Sequence, residues 1–237
     1  MKILLIGYGK MGQQIEQLAK KRGHEIAGVV DVDSAKQIVA YDSTLVDVAI
    51  EFTQPKVAYE NITNCIKQGI PVISGTTGWT SEYDKVVSLC QEQDGTFLFA
   101  SNFSLGVNLF FRLNKWLAKL MNQHPYEVSM EETHHIHKKD APSGTAITLA
   151  EGVVSEKEGI EDWTLEEDSA SRIQIKAIRE GEVPGTHIIK YSSEVDQIEI
   201  KHEAFSRQGF VLGAVLVAEW IHNKKGVYTM DDFLGNG

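Results

Sequence analysis

The fold is decided by a stretch near the start of the chain, Lys2-Ile3-Leu4-Leu5-Ile6-Gly7-Tyr8-Gly9-Lys10-Met11-Gly12. Its apolar first half predicts a buried strand, and the apolar residues after it recur at helical spacing. Glycines in the pattern Gly-x-Gly-x-x-Gly allow a tight turn and let backbone N–H groups approach a pyrophosphate at a helix N-terminus. The alternative is a glycine turn with only a packing role. The context favours a dinucleotide-binding unit whose contacts are Gly7, Gly9, Lys10, Met11 and Gly12.

A second apolar run, Glu25 to Val30, ends at Asp31 and completes a βαβ unit of the expected length. A carboxylate at this position accepts hydrogen bonds from the adenosine ribose and repels a 2′-phosphate. Val32 beside it supplies no compensating cation, although Lys10 could still reach a phosphate. We therefore expect NADH or NADPH as the cofactor, with NADH favoured.

Short apolar strands continue to alternate with helices as far as residue 103, which predicts a parallel sheet in a Rossmann-type domain. Polar or glycine-rich loops follow the strands expected at 46–52, 71–74 and 96–100. Ligands bind at this carboxyl edge of such sheets, although any one loop could be an ordinary turn. We expect cofactor contacts from Phe52, Thr53, Gly75, Thr76, Thr77, Ala100, Ser101, Asn102 and Phe103.

The pattern changes after Asn102. A long helix is expected at 107–121 and another from Pro142 to about 157, while polar and apolar residues alternate at 126–132, 172–178, 187–192 and 197–202. Such alternation is typical of an antiparallel sheet with one buried face. We predict an α/β fold with two domains. The first is residues 1–103, completed by 208–237, and the second is an α+β domain of residues 104–207 with a mainly antiparallel sheet.

Composition, charge and the apolar runs argue against several classes of protein. The chain has 237 residues and a net charge of −10, which argues against general affinity for nucleic acid or an anionic membrane surface. Cys65 and Cys90 lack metal-ligand spacing, so we expect buried free thiols in a reducing compartment. The N-terminal apolar run is too short for a signal peptide, and no stretch approaches the ~20 apolar residues of a membrane helix. A cytoplasmic protein is expected.

A second stretch concentrates proton-transferring and cationic groups, His134-His135-Ile136-His137-Lys138-Lys139-Asp140-Ala141-Pro142-Ser143-Gly144-Thr145. Imidazole exchanges a proton near neutral pH, and lysine keeps a positive charge there. The Ser-Gly-Thr turn offers hydroxyl and backbone N–H groups to a carboxylate, particularly if a helix begins at it. We interpret the stretch as a proton donor beside a site for a small acidic molecule.

Two alternatives apply to these histidines. They could ligate a metal ion, but no other His or Cys lies nearby in sequence to complete a tetrahedron, and two lysines follow directly. On a strand, His135 and His137 would face one side and His134 the other. They could also be structural residues of a polar turn, which is the interpretation favoured for His137. No metal is expected.

The run from His134 to Ala146 resembles the signature of the 4-hydroxy-tetrahydrodipicolinate reductase (dihydrodipicolinate reductase) family. The similarity covers essentially the whole chain. It includes the glycine fingerprint, the loops at Phe52-Thr53 and Gly75 to Gly78, Asn102-Phe103-Ser104, and the segment from Arg179 to His187. This resemblance implies NAD(P)H-dependent reduction of a cyclic dicarboxylate in lysine and diaminopimelate biosynthesis. It also implies a homotetramer assembled through the C-terminal sheets.

The resemblance further implies a role for individual residues. His134 matches the general acid, and Lys138 matches a substrate-binding lysine that is also implicated in catalysis. Asp31 matches the acidic ribose ligand, and Gly75, Thr77, Ala100 and Phe103 match the surroundings of the nicotinamide and its ribose. The groups that match the substrate carboxylate site are His135, Ser143, Gly144 and Thr145.

The chain departs from the family pattern in three places. The segment after Asp31 is shorter than in many members, Val32 stands where many carry Arg, and Glu51 replaces the usual Asp before Phe52-Thr53. Two other classes of protein also fit the first domain. A different dehydrogenase would act on another substrate, and a redox sensor would bind NADH without oxidising it.

Overall fold

The computed structural model describes residues 1–31, 37–166 and 171–235. Val32 and the short segment that follows Asp31 lie outside these ranges. The chain divides into two compact units, Met1–Leu105 with Gln208–Gly237, and Gly106–Arg207.

Eleven strands and seven helices are defined in the described ranges. The strands are β1 (Lys2–Ile6), β2 (Glu25–Val30), β3 (Val48–Glu51), β4 (Val72–Ser74), β5 (Thr96–Phe99), β6 (Glu127–His134), β7 (Asp162–Thr164), β8 (Arg172–Arg179), β9 (Thr186–Ser192), β10 (Gln197–Glu203) and β11 (Gly226–Tyr228). The helices are α1 (Lys10–Lys21), α2 (Pro55–Lys67), α3 (Tyr83–Glu92), α4 (Leu105–Met121), α5 (Gly144–Val154), α6 (Gln208–Ile221) and α7 (Met230–Leu234).

The first unit contains a six-stranded parallel sheet in the order β2-β1-β3-β4-β5-β11. Alternate residues of β1 pack on opposite faces. Ile3 and Leu5 join one core with α1 and α6, and Leu4 and Ile6 join the other with α2 and α3. Because helices cover both faces, the central strands are apolar throughout rather than alternating. The predicted Rossmann-type sheet is confirmed.

The strand order reverses at β1. The strands β2 and β3 pair with opposite edges of β1. The connection after β1 therefore runs toward one edge of the sheet, and the connection after β3 runs toward the other edge. A crevice opens at the carboxyl ends of strands where the order reverses in this way, and such crevices hold the ligands of open α/β sheets. In this chain the loops at that position begin at Gly7 and Phe52.

The second unit contains a five-stranded sheet in the order β10-β9-β6-β8-β7. The pairs β10–β9 and β9–β6 are antiparallel, whereas β6–β8 and β8–β7 are parallel. The sheet is therefore mixed, and its two longest pairings are antiparallel, in agreement with the mainly antiparallel sheet that was expected. The parallel pairing of β8 with β6 arises because α5 lies between them in the chain, and a helical crossover lets the later strand return in the same direction.

One face of this sheet is packed under α4 and α5. Side chains alternate along β9, where Ile189 and Tyr191 are buried in a cluster with Ile173 and Ile175 of β8. The alternation predicted from the sequence is thus observed, and it places His187 on the same buried face as Ile189 and Tyr191.

Two further expectations can be compared with the structure. Cys65 and Cys90 are buried free thiols, as expected. Over the ranges that the structure describes, no helix is both long and apolar enough to cross a membrane.

Candidate active site

The glycine turn after β1 has two positions where a side chain cannot fit. Gly7 has a φ of +93°, and a Cβ placed on it would lie 2.1 Å from the carbonyl oxygen of Phe52. A Cβ on Gly12 would lie 2.2 Å from the carbonyl oxygen of Gly7. Gly9 is different, because a Cβ there would meet nothing within 4 Å. Gly7 and Gly12 therefore hold the turn in shape, and Gly9 leaves open space that suits the approach of a pyrophosphate.

An open cavity of about 370 Å³ lies beside this turn. It brings together residues from the loops after β1, β3 and β4, at the edge of the sheet where ligands of such folds bind. Eight of the expected cofactor residues line it, together with Pro55. They are Gly9, Lys10, Met11, Phe52, Thr53, Gly75, Thr76 and Thr77.

The remaining expected cofactor residues lie outside the cavity lining. Asp31 is exposed at the end of β2, where its Oδ1 is 3.4 Å from the backbone nitrogen of Tyr8. Ala100, Ser101 and Asn102 follow β5. Phe103 is buried, with its ring centroid 5.6 Å from that of Phe52. The Phe103 side chain therefore supports the cavity wall from the core.

A buried carboxyl group joins two of the cavity loops. Glu51, at the end of β3, is fully buried. It accepts hydrogen bonds from the hydroxyl of Ser74, from Thr76 Oγ1 at 2.9 Å, and from both the hydroxyl and the backbone N–H of Thr53. Burial raises the pKa of the Glu51 carboxyl, and these donors act against that rise. In the sequence, Glu51 stood out only as a departure from the family pattern.

In the second unit, strand register gathers a group of polar residues at the end of β6. Glu132 and His134 are two residues apart on β6, so both side chains point to the same face. His187 of β9 lies opposite Glu132, and Arg179 of β8 lies opposite His134. Glu132, His134 and His187 are all buried. We call Glu132, His134, Arg179 and His187 the β6 cluster.

Glu132 is the centre of the β6 cluster. Its Oε1 accepts hydrogen bonds from Arg179 Nη2 at 2.9 Å and from the backbone N–H of Ser143 at 3.1 Å. Its Oε2 lies 3.2 Å from His134 Nδ1 and 3.8 Å from His187 Nε2, which are ion-pair distances without hydrogen-bond alignment. Burial raises the pKa of Glu132, but His134, Ser143 and Arg179 outweigh it and lower that pKa to about 2. The carboxylate is therefore anionic at neutral pH.

His187 is held in its neutral form. Burial, followed by the charge of the neighbouring His134, lowers the pKa of His187 to about 4. Its Nε2 lies 3.3 Å from Ser143 Oγ, and its ring meets that of His134 edge to face at 5.2 Å between centroids. Sequence reasoning assigned His187 no role, because the register of β9 against β6 is not visible in the chain.

The predicted carboxylate turn lies at the start of α5. Ser143 caps this helix, and its hydroxyl accepts a hydrogen bond from the backbone N–H of Ala146 at 3.2 Å. Gly144 is exposed, and a Cβ placed on it would meet nothing within 4 Å. A helix N-terminus with open space above it suits a carboxylate, because backbone N–H groups and the helix dipole both favour negative charge.

The residues between His134 and Ser143 form the rest of the site. Lys138 Nζ contacts both carboxylate oxygens of Asp140, at 2.7 and 2.9 Å. His135 is half-buried, and its Nδ1 has no hydrogen-bond partner within the described ranges. His137 is exposed and lies 3.4 Å from an equally exposed carboxylate of Glu182. An ion pair this exposed contributes little, in keeping with the structural interpretation of His137.

The metal interpretation of His134, His135 and His137 gains no support from their positions. His134 is buried, whereas His137 is exposed on a turn. In the part of the chain described here, the group with ligand atoms close enough for one ion is Glu132, His134 and His187, within 4.8 Å of one another. Arg179 already donates to the same carboxylate, so a metal ion would add a second positive charge beside the guanidinium.

The low pKa of His187 predicts that acid destabilises the second unit. An unfolded histidine binds a proton below about pH 6.5, whereas folded His187 stays neutral until about pH 4, so stability is lost as pH falls through this window. Between pH 7.5 and pH 5 we expect His187 to account for a loss of about 2 kcal/mol in the free energy of unfolding. Urea unfolding over this range should show the full loss in the wild type and a smaller one in His187→Gln, where His202, whose pKa burial also lowers, still contributes.

The matched control is His124→Gln, because His124 is exposed in the same unit. This variant should keep the pH dependence of the wild type. An equal acid loss in His187→Gln would show that His187 does not cause it.

Two family profiles together match almost the whole chain. A profile described as Dihydrodipicolinate reductase, N-terminus, matches residues 1–103, and one described as Dihydrodipicolinate reductase, C-terminus, matches residues 106–234. Among curated proteins, 4-hydroxy-tetrahydrodipicolinate reductase of Christiangramia forsetii is 48% identical over 237 residues, which are 100% of this chain and 98% of that protein. The protein of the same name from Archaeoglobus fulgidus is 38% identical over 231 residues, 93% of this chain and 87% of that protein.

Solved structures resemble the chain in fold. The dihydrodipicolinate reductase from Paenisporosarcina sp. TG-14, solved with bound dipicolinate, superposes with a TM-score of 0.79 at 20% identity and covers 97% of each chain. A probable dehydrogenase from Thermotoga maritima superposes with a TM-score of 0.61 at 10% identity, covering 93% of this chain and 87% of that one. At such identities the superpositions establish the fold alone.

Proposed function

The chain belongs to the dihydrodipicolinate reductase family, and on that premise we propose that it reduces 4-hydroxy-tetrahydrodipicolinate to tetrahydrodipicolinate with NAD(P)H. The observation that carries the proposal is the β6 cluster, in which a buried imidazole with an anionic carboxylate at 3.2 Å lies next to a helix N-terminus suited to a carboxylate. A cyclic dicarboxylate that must take up a proton needs both features.

The chemistry requires one hydride and one proton. Loss of water from the hydroxylated substrate leaves a conjugated C=C–C=N system, and the reduced nicotinamide, when bound, supplies a hydride to ring carbon C4. The electron pair then lies on an enamine, whose carbon C3 takes a proton. We assign that proton to His134 as general acid, because its imidazole can donate near neutral pH and adjoins an anionic carboxylate.

The other residues of the second unit are assigned to binding. Lys138 is proposed to hold a substrate carboxylate through a charge-assisted hydrogen bond and to assist catalysis by fixing the ring. The backbone N–H groups and hydroxyls of the turn at the start of α5 are proposed to hold the carboxylates together with His135. The residues of this turn are Ser143, Gly144 and Thr145.

The cofactor residues are assigned to the first unit. The open space at Gly9 and the tight packing at Gly7 and Gly12 fit a pyrophosphate approached by backbone N–H groups. The exposed carboxylate of Asp31 supports the adenosine ribose as its partner and NADH as the favoured cofactor. We also propose a homotetramer assembled through the C-terminal sheets, and a reducing compartment such as the cytoplasm, which the buried free thiols support.

A coupled assay tests the proposed function. Dihydrodipicolinate synthase supplies fresh substrate, and the absorbance at 340 nm follows oxidation of NADH and of NADPH in separate reactions. We expect oxidation that depends on the synthase, faster with NADH. A substrate panel of amino acids and semialdehydes tests the alternative of another dehydrogenase. Binding of NADH without oxidation by any substrate would favour a redox sensor and overturn the proposal.

Removal of the Lys138 ammonium should impair both substrate binding and turnover. Lys138→Ala is expected to raise KM and lower kcat, each by about tenfold, because the variant loses a charge-assisted contact and the orientation that it provides. The matched control is Lys139→Ala, which removes the same charge from the exposed neighbouring position. Steady-state kinetics with both variants test this role. Equal kinetics for the two variants would remove Lys138 from the site.

A further inference from the structure

We infer that Glu132 is a positioning residue for the proposed reaction. The inference rests on the proposed function, and it assigns Glu132 two tasks. It keeps His134 oriented for donation, and it aligns the start of α5 where the substrate carboxylate is proposed to bind.

The first argument comes from the burial of Glu132. The carboxylate is 1% exposed, and an ionised carboxylate at such a position is costly unless it is paired and hydrogen-bonded. Arg179 and the backbone of Ser143 occupy Oε1, whereas Oε2 has no hydrogen-bond partner within the described ranges. The oxygen without a partner is the one that faces His134.

The second argument comes from the geometry of His134. Its Nδ1 is buried, lies 3.2 Å from Glu132 Oε2, and also lacks a hydrogen-bond partner among the residues described. A buried donor and a buried acceptor at this distance form a hydrogen bond after a small rotation of the ring. Hydrogen bonds at catalytic groups often tighten only when substrate binds. A carboxylate that accepts from Nδ1–H fixes the tautomer of the ring and leaves Nε2, on the far side from Glu132, as the donor.

The third argument concerns the turn at the start of α5. Glu132 Oε1 accepts the backbone N–H of Ser143, and Arg179 Nη2 links the same oxygen to the carbonyl oxygen of Asp140 at 2.5 Å. The loop from Asp140 to Ser143 is thus anchored at both ends to one carboxylate. A shift of Glu132 therefore moves the carboxylate turn and the proton donor together, which explains why the strand carries a buried acid at this position.

Kinetics of Glu132→Gln test the inference. The amide has nearly the same shape and can still accept from Ser143, so KM should change by less than about threefold. With the amide oxygen on Ser143, the amide NH2 group faces His134 Nδ1 and favours the other tautomer, so we expect kcat to fall by at least about tenfold. Glu132→Asp keeps a carboxylate on this side of the ring and should restore most of kcat. Glu131→Gln, on the same strand with its side chain on the opposite face, is the matched control and should behave as the wild type.

Two further measurements keep the inference testable. Glu132→Gln leaves Arg179 without its counter-ion, so a variant that fails to fold is replaced by Glu132→Gln/Arg179→Gln, in which both charges of the pair are absent. This double variant should fold and show the same loss of kcat. An unchanged kcat, or a loss of activity that a rise in KM accounts for entirely, would overturn the inference.

The last measurement does not need turnover. Long-range ¹⁵N–¹H spectra of protein labelled at histidine should show neutral His134 protonated on Nδ1 in the wild type, identified by its absence in His134→Gln, and a changed tautomer in Glu132→Gln. If the wild type oxidises neither cofactor, the proposed function fails, while these spectra still decide whether Glu132 orients His134. An Nε2-protonated His134 in the wild type would contradict the inference.

Discussion

His134→Gln should lower kcat by about 10²–10³-fold with little change in the KM for substrate. Glutamine keeps hydrogen-bonding capacity and similar reach, but it cannot donate a proton to an enamine carbon. His134 is assigned to proton transfer, and other residues are assigned to substrate binding. The substitution should therefore lower kcat and leave KM nearly unchanged. Steady-state kinetics at pH 7 measure both parameters.

The matched control for this prediction is His137→Gln. His137 is exposed and lies three residues further along the same stretch, so its replacement should leave kcat within about twofold of the wild type. NADH binding should be equal in all three proteins, since His134 and His137 belong to the second unit. An unchanged kcat in His134→Gln would remove this residue from the general-acid role.

Gly12→Ala should weaken cofactor binding at least about tenfold by deforming the glycine turn. A Cβ at this position would lie 2.2 Å from the carbonyl oxygen of Gly7, a distance that forces the backbone to move. Overpacking of this kind costs about 1–3 kcal/mol of stability. A displaced turn that loses as little as about 1.4 kcal/mol of binding free energy raises the Kd for NADH about tenfold. Urea unfolding and fluorescence titration with NADH measure the two effects.

Gly9→Ala separates the role of packing from that of ligand contact. A Cβ at Gly9 meets nothing within 4 Å and its backbone is extended, so this variant should be as stable as the wild type. A rise in its Kd for NADH would then mean that the added methyl group obstructs the pyrophosphate at this open position. Wild-type stability and NADH affinity in Gly12→Ala would refute the proposed structural role of that glycine.

The first unit was predictable because its signals are local. A strand of five residues, a glycine turn and an amphipathic helix lie next to one another in the chain, and steric exclusion at Gly7 and Gly12 depends on the backbone itself. Short elements such as β7, β11 and α7 were not predicted, because three to five residues carry too little periodicity to be recognised.

The second sheet shows that local sequence patterns predict strands but not the direction in which they pair. Alternation identified β6, β8, β9 and β10 as strands, but alternation is the same whether a strand pairs in parallel or antiparallel fashion. The parallel pairing of β8 with β6 depends on the path of the chain through α5, which only the folded structure reveals.

The sequence by itself determined the order of strands and helices from β1 to β5, the glycine turn, and the concentration of imidazole, ammonium and hydroxyl groups between His134 and Thr145. These follow from residue chemistry and short-range periodicity. Only the tertiary structure decided that Glu132 stands at the centre of the β6 cluster, with Arg179 and His187 brought to it from two other strands. The reason is physical, because strand register joins residues far apart in the chain, and burial then determines which of them hold charge.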